Sequence, residues 1–146
     1  MIADIDLYKA LKETIPKELS SLFSYIEQSK VIGDKTIVKE DTAVFYFRSA
    51  NNPIRTIDGT YVLEFNRLVL NIFTHRGEDG VLEGHKYCKH ICDNLDKIFN
   101  KDYEVDGTCF TILNCRRLGK YQYVGPNKQG IASFSINYMI EYEGGN

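Results

Sequence analysis

The sequence predicts an α+β domain: a four- to five-stranded, mostly antiparallel sheet with two helical segments packed on one face. Three observations carry that expectation. Leu82, Tyr87, Cys88, Ile91, Cys92, Leu95, Ile98 and Phe99 step by threes and fours, the period of a helix with one buried face. Phe134, Ile136, Tyr138, Ile140 and Tyr142 alternate with Ser133, Ser135, Asn137 and Glu141, the period of a strand buried on one side. Between and before them the elements run helix, strands, helix, strands, with no internal repeat.

Taken in order, the first 30 residues read as helical. Ile5, Tyr8, Leu11 and Ile15 make one stripe, and Leu19, Leu22, Phe23 and Ile26 continue it. At Pro16 either one helix bends or two short ones meet. Asp4 or Asp6 is placed to cap the start. Gly33-Asp34 marks a turn. Residues 43–48 read as a strand, because the run Val44–Phe47 suits a pleated, half-buried surface. Residues 49–60 follow as a long loop or open hairpin, with turn signals at Asn52-Pro53 and Asp58-Gly59. Residues 61–75 form the longest strand, and its nearly continuous apolar end, Leu68 to Phe73, suits a central position. Gly77-Glu78-Asp79-Gly80 turns the chain into the helix over 81–99, with Asp79 as cap and Asn100 or Lys101 as end. After Asp106-Gly107 come strands over 108–116 and 130–142, a short one at 120–124, and a turn at Gly125-Pro126-Asn127. Gly144, Gly145 and Asn146 read as a flexible tail.

The 146 residues suit a single domain, 1–146, large enough to fold without a disulfide or metal. With 43% apolar and 26% charged residues, the chain lies with ordinary globular sequences and away from disordered or coiled-coil ones. No apolar run approaches the ~20 residues of a membrane-spanning helix. The acidic start, Met-Ile-Ala-Asp-Ile-Asp, does not read as a secretory signal. A net charge of −2 argues against direct nucleic-acid binding. The charge is also segregated. Residues 77–106 carry four lysines against eight acidic residues, whereas 107–140 carry Arg116, Arg117, Lys120 and Lys128 and no acid. Neighbouring segments of opposite sign suit contact between copies, and solvated faces are the plainer alternative.

Catalytic motifs are absent from the sequence: no phosphate-cradling glycine loop, no Gly-x-Ser-x-Gly elbow and no His-Glu-x-x-His. Cys88 and Cys92 share a helix face with His85, but the short paired spacing of zinc sites is missing. The four cysteines, Cys88, Cys92, Cys109 and Cys115, therefore read as buried small hydrophobes. Pairs such as Cys92 with His75, or Cys109 with His85, have no spacing that favours a nucleophile and its base. No enzyme, cofactor or metal is expected. What stands out instead is Ile54 and Ile57 as apolar tips in a polar loop, a polar outer sheet face, and the charge segregation.

The order and texture of these segments resemble the tail terminator (minor capsid, tail-completion) family of tailed bacteriophages. The resemblance rests on the N-terminal helical segment, the aromatic strand Ala43-Val-Phe-Tyr-Phe47, and the strand and polar turn Leu68-Val-Leu-Asn-Ile-Phe-Thr-His-Arg-Gly77. It continues through the amphipathic helix, the basic hairpin and the closing strand Ser133-Phe-Ser-Ile-Asn-Tyr-Met-Ile-Glu-Tyr142. It implies a structural virion protein at the head-proximal end of the tail, assembled in the host cytoplasm. Such a protein forms a ring, usually a hexamer, that caps the tail tube, stops its polymerisation and joins the tail to the head. The implied partners are copies of itself, the tail tube protein, a neck or connector protein, and a sheath protein where the tail contracts. Another neck or head–tail completion protein, or a non-phage cytoplasmic binding module, is the alternative. The family offers no catalytic residues. From the sequence itself, Ile54, Arg55 and Ile57 are candidates to dock on the tube. Arg116, Arg117, Lys120 and Lys128 are candidates to meet an acidic face of a neighbouring subunit around Asp93 and Asp96.

Overall fold

A computed structural model describes residues 2–25, 41–49, 54–55, 57–58, 61–126 and 130–145. The expected turn at Gly33-Asp34, the end of the N-terminal helical segment, Asn52-Pro53, Gly59, Lys128 and Asn146 lie outside these residues. The architecture is α+β. Helices α1 (Asp4–Thr14) and α2 (Lys17–Ser20) lead into β1 (Phe23–Tyr25), β2 (Thr42–Ser49), β3 (Ile54–Arg55) and β4 (Tyr61–Arg76). Helix α3 (Glu78–Leu95) follows, then β5 (Phe99–Val105), β6 (Thr108–Arg117), β7 (Gln122–Pro126) and β8 (Ile131–Gly145). All eight strands join one sheet in the order β1-β2-β4-β8-β6-β5, with β3 beside β4 and β7 beside β8. Every pairing is antiparallel except β1 with β2.

The sheet holds the expected strands and three more, β1, β3 and β5, each short or at an edge. The N-terminal stripe breaks at Pro16 into two helices. It then departs from expectation, since Phe23–Tyr25 pairs with Ala43–Phe45 as a strand. Phe23 there packs on Phe45, with ring centroids 4.7 Å apart, so burial in the sheet overrides a helical spacing. Of the expected loop or open hairpin over 49–60, Ile54 and Arg55 pair antiparallel with Leu63 and Val62 as a short strand. Gly144 and Gly145 are strand, not tail, held between Val62, Tyr61 and Phe110.

Helix α3 starts three residues earlier than expected, because Gly77 takes the cap position with φ of 89°, a conformation that glycine adopts without a Cβ clash. It ends at Leu95, and Phe99 begins β5 opposite Asn114. Asp106 (φ 49°) and Gly107 (φ 82°) make the two-residue turn between β5 and β6, with both central residues left-handed. The N-cap of α1 is Ala3 and not Asp4 or Asp6, and the Asp6 carboxylate, one turn in, accepts the Ala3 backbone N–H at 3.0 Å.

The core lies between the helices and one face of the sheet. On β8 the buried residues are Phe134, Ile136, Tyr138, Ile140 and Tyr142, the five that the alternation selects. Phe45, Leu68, Leu70, Ile72 and Ile112 join them from β2, β4 and β6. Tyr8 of α1 meets Phe45 edge-on at 5.1 Å, and Thr14 shares a hydrogen bond with Tyr103 of β5. Helix α3 comes closer still. Gly84 sits where any Cβ would overlap the Phe134 ring, and Gly80 where it would overlap the His75 carbonyl. The buried Thr74 hydroxyl donates to the Gly80 carbonyl at 2.6 Å and ties the first turn of α3 to the end of β4.

Candidate interaction surface

Chemistry-bearing side chains are absorbed into packing. Cys88, Cys92 and Cys115 are buried, and burial pushes the Cys88 and Cys115 thiols up to about 12. Thiols held protonated are poor nucleophiles and poor metal ligands. Cys109 departs from the sequence expectation, because it is exposed on β6 opposite Glu104. His85 lies 5.0 Å from Phe134, ring to ring, and its Nδ1 is 3.1 Å from the Tyr121 hydroxyl. His75 meets Asp41, which accepts its backbone N–H at 3.0 Å and also accepts the Tyr87 hydroxyl at 3.3 Å. Burial first, then the Asp41 charge, raises the Tyr87 hydroxyl to about 12. Among the described residues, no three His, Cys, Asp or Glu side chains gather as a metal site. Among them, too, no helix is long and apolar enough to cross a membrane.

The expected contact residues divide into three groups. Ile54 is 56% exposed on β3, and Ile57 is fully exposed in the turn that follows. Arg55 occupies β3 opposite Val62. Ile54 and Ile57 thus place apolar groups at one end of the sheet, where an isolated domain gains nothing from them.

Asp96 and Arg117 form the second group, and they meet each other within the one chain. Asp96 caps the C-terminal end of α3. Its Oδ1 accepts the buried Tyr138 hydroxyl at 2.6 Å, and its Oδ2 lies 3.3 Å from Arg117 Nη2. A carboxylate at a helix C-terminus faces the negative end of the dipole, so the guanidinium and phenol offset that arrangement. Burial, with the Asp96 and Cys92 contacts, pushes the Tyr138 phenol far above its ordinary range. Arg117 and Asp96, expected to meet between neighbouring subunits, already lie beside each other within one chain. Asp93, one turn earlier, is exposed on α3.

Arg116 leads the third group. It points the opposite way from Arg117, to the sheet face that no described helix covers. Lys120 is exposed in the bend between β6 and β7. The uncovered face carries Arg116 beside Met139, Met139 beside Arg67, and Arg67 directly opposite Arg48. All three arginines are exposed, and none forms an ion pair within the described residues. Arg67 donates to the Asn137 side-chain oxygen at 3.1 Å. Two residues along the strands, toward the β5–β6 hairpin, the same face turns acidic. Glu141 and Glu143 come from β8, and Asp102 and Glu104 from β5. A cleft of about 290 Å³ lies between the two signs, lined by Phe65, Met139, Arg116 and Glu141 among others. Sequence reasoning singled out Arg116 but not Arg48 or Arg67. Their alignment is a property of register, since β2, β4 and β6 are far apart in the chain. No family model matches this chain, and no curated protein does.

Proposed function

We propose that this chain is an assembly protein, a tail-terminator-like subunit whose ring caps a tube of repeating subunits and stops its growth. The observation that best supports this reading is the β3–β4 hairpin. It carries Ile54 and Ile57 exposed at one end of the sheet, while the titratable core groups are buried in packing. A growing tube end displays self-complementary contacts that are left open. A ring that matches those contacts on one side and not on the other ends addition, and many weak subunit contacts made together supply the affinity. In this reading Ile54 and Ile57 reach the tube, and the neck of the head meets the opposite side of the ring.

The test is complementation of a strain lacking the gene by the Ile54→Asp, Ile57→Asp double variant. Both side chains are exposed, so the fold is expected to hold within about 0.5 kcal/mol. The expected result is folded protein with tails of uncontrolled length. Tails of normal length on heads would overturn the assignment of the hairpin to the tube. Normal tails detached from filled heads would move the protein to the neck.

A further inference from the structure

We propose that the uncovered sheet face docks a second copy of this chain, face to face about a two-fold axis, with the arginine row of each copy on the acidic corner of the other. The inference goes beyond capping, because a two-fold contact pairs copies and is not the head-to-tail contact that closes a ring.

Four observations converge on it. First, Arg48 and Arg67 stand directly opposite on adjacent strands, and Arg116 continues the row across Met139. Like charges directly opposite in a sheet destabilise it, and no acid of the described residues pairs with these three. An anionic group set over the row would relieve that cost. Second, that anionic group exists on the same face. Glu141, Glu143, Asp102 and Glu104 cluster toward the β5–β6 hairpin, the last three lining a depression of about 510 Å³. Rotating one copy by half a turn about a line between the two patches sets each patch on its opposite.

Third, apolar side chains lie on the line between the patches. Phe65 and Met139 are half-buried and line the cleft between the patches. An apolar centre ringed by paired charges is the common anatomy of a protein interface. Fourth, the size is adequate. From β2 to β5 the face spans about 19 Å, and the paired stretch runs about 40 Å, which gives roughly 750 Å² per copy by ordinary strand spacings. Specific, stable interfaces bury about 600–1,000 Å² per partner.

A second copy fits better than a nucleic acid, because the acidic corner would repel phosphate within a strand width or two of the arginines.

The test uses the full chain in sedimentation and cross-linking. The parent is expected to dimerise at low salt, with affinity falling at least about tenfold as salt screens the contacts. The Arg67→Glu, Arg116→Glu variant and the Glu141→Lys, Glu143→Lys variant are each expected to be monomeric. Mixed in equal amounts, they are expected to form a one-to-one heterodimer, since the reversed charges then face opposite signs again. In a Cys109→Ser background, Met139→Cys is expected to cross-link to itself, and Lys89→Cys on α3 is not. A monomeric parent at low salt, dimers unaffected by either reversal, or cross-linking at Lys89→Cys but not at Met139→Cys would each overturn the proposal. Those results leave tail length untouched, so failure here is distinct from failure of the capping role.

Discussion

Replacing Gly84 with alanine puts a methyl carbon 2.0 Å from Phe134 Cε1, 2.6 Å from Cζ and 2.8 Å from Cδ1. The ring has little room to retreat. Phe134 is 1% exposed, with His85 5.0 Å away on one side and Tyr123 5.1 Å away on another. Two effects compete. Alanine in a helix interior gains up to about 1 kcal/mol over glycine from propensity alone. Overpacking a close-fitted core costs about 1–3 kcal/mol. At these distances the overlap wins, and a net loss of about 1–2 kcal/mol is expected. For a chain of this length that is a drop of roughly 3–6 °C in Tm. Thermal and urea unfolding followed by circular dichroism measure it. The mechanism has its own check, because Phe134→Leu vacates the contested space. In that background the alanine should cost less, with a coupling of at least about 0.5 kcal/mol. Gly80→Ala should cost more than Gly84→Ala, since its methyl meets the His75 backbone oxygen at 1.7 Å. A Gly84→Ala variant as stable as the parent would refute the close approach of α3 to the sheet.

Four further outcomes follow from the packing. Tyr138→Phe removes the hydrogen bond to Asp96 and should cost about 1–2 kcal/mol in urea unfolding, discounted because Asp96 is partly solvated. Arg117→Glu should lower stability with it, whereas Arg116→Glu, on the uncovered face, should leave urea unfolding within about 0.5 kcal/mol of the parent. In thiol titration of the native protein, Cys109 should react first, and Cys88, Cys92 and Cys115 only on unfolding. The same thiols set an alkaline limit. Unfolded thiols ionise around their ordinary value of 9.0, but the folded Cys88 and Cys115 hold their protons to about 12. Stability is therefore full below about pH 9 and is lost as pH rises toward 12, which base titration of the far-ultraviolet signal measures.

The parts of the fold that were legible in the sequence are those in which local pattern and tertiary burial agree. The alternation through Phe134 to Tyr142 names the buried side of β8, and the apolar run Leu68 to Phe73 marks β4 as central. Phe99 shows the limit. It extends the helical stripe of α3 by spacing, but the buried stripe of that helix ends at Leu95, and Phe99 pairs across to Asn114. Phe23 fails in the same way, and Gly144 is strand only because Val62 and Phe110, remote in the chain, flank it. The surface was legible by composition and not by placement. Ile54 and Ile57 stood out as apolar residues among polar ones. Asp96 reads as part of an acidic contact face, and its bond to Tyr138 exists only because the end of the helix sits over β8. Arg48 and Arg67 carried no local signal, because a row across a sheet exists only once register is known.

Capping is tested most directly by measuring tail lengths, in electron micrographs, of particles made after the gene is deleted from its locus. Tails grown far beyond the normal length, with no sharp length distribution, are the predicted result. Tails of normal length on intact, infectious particles would contradict it.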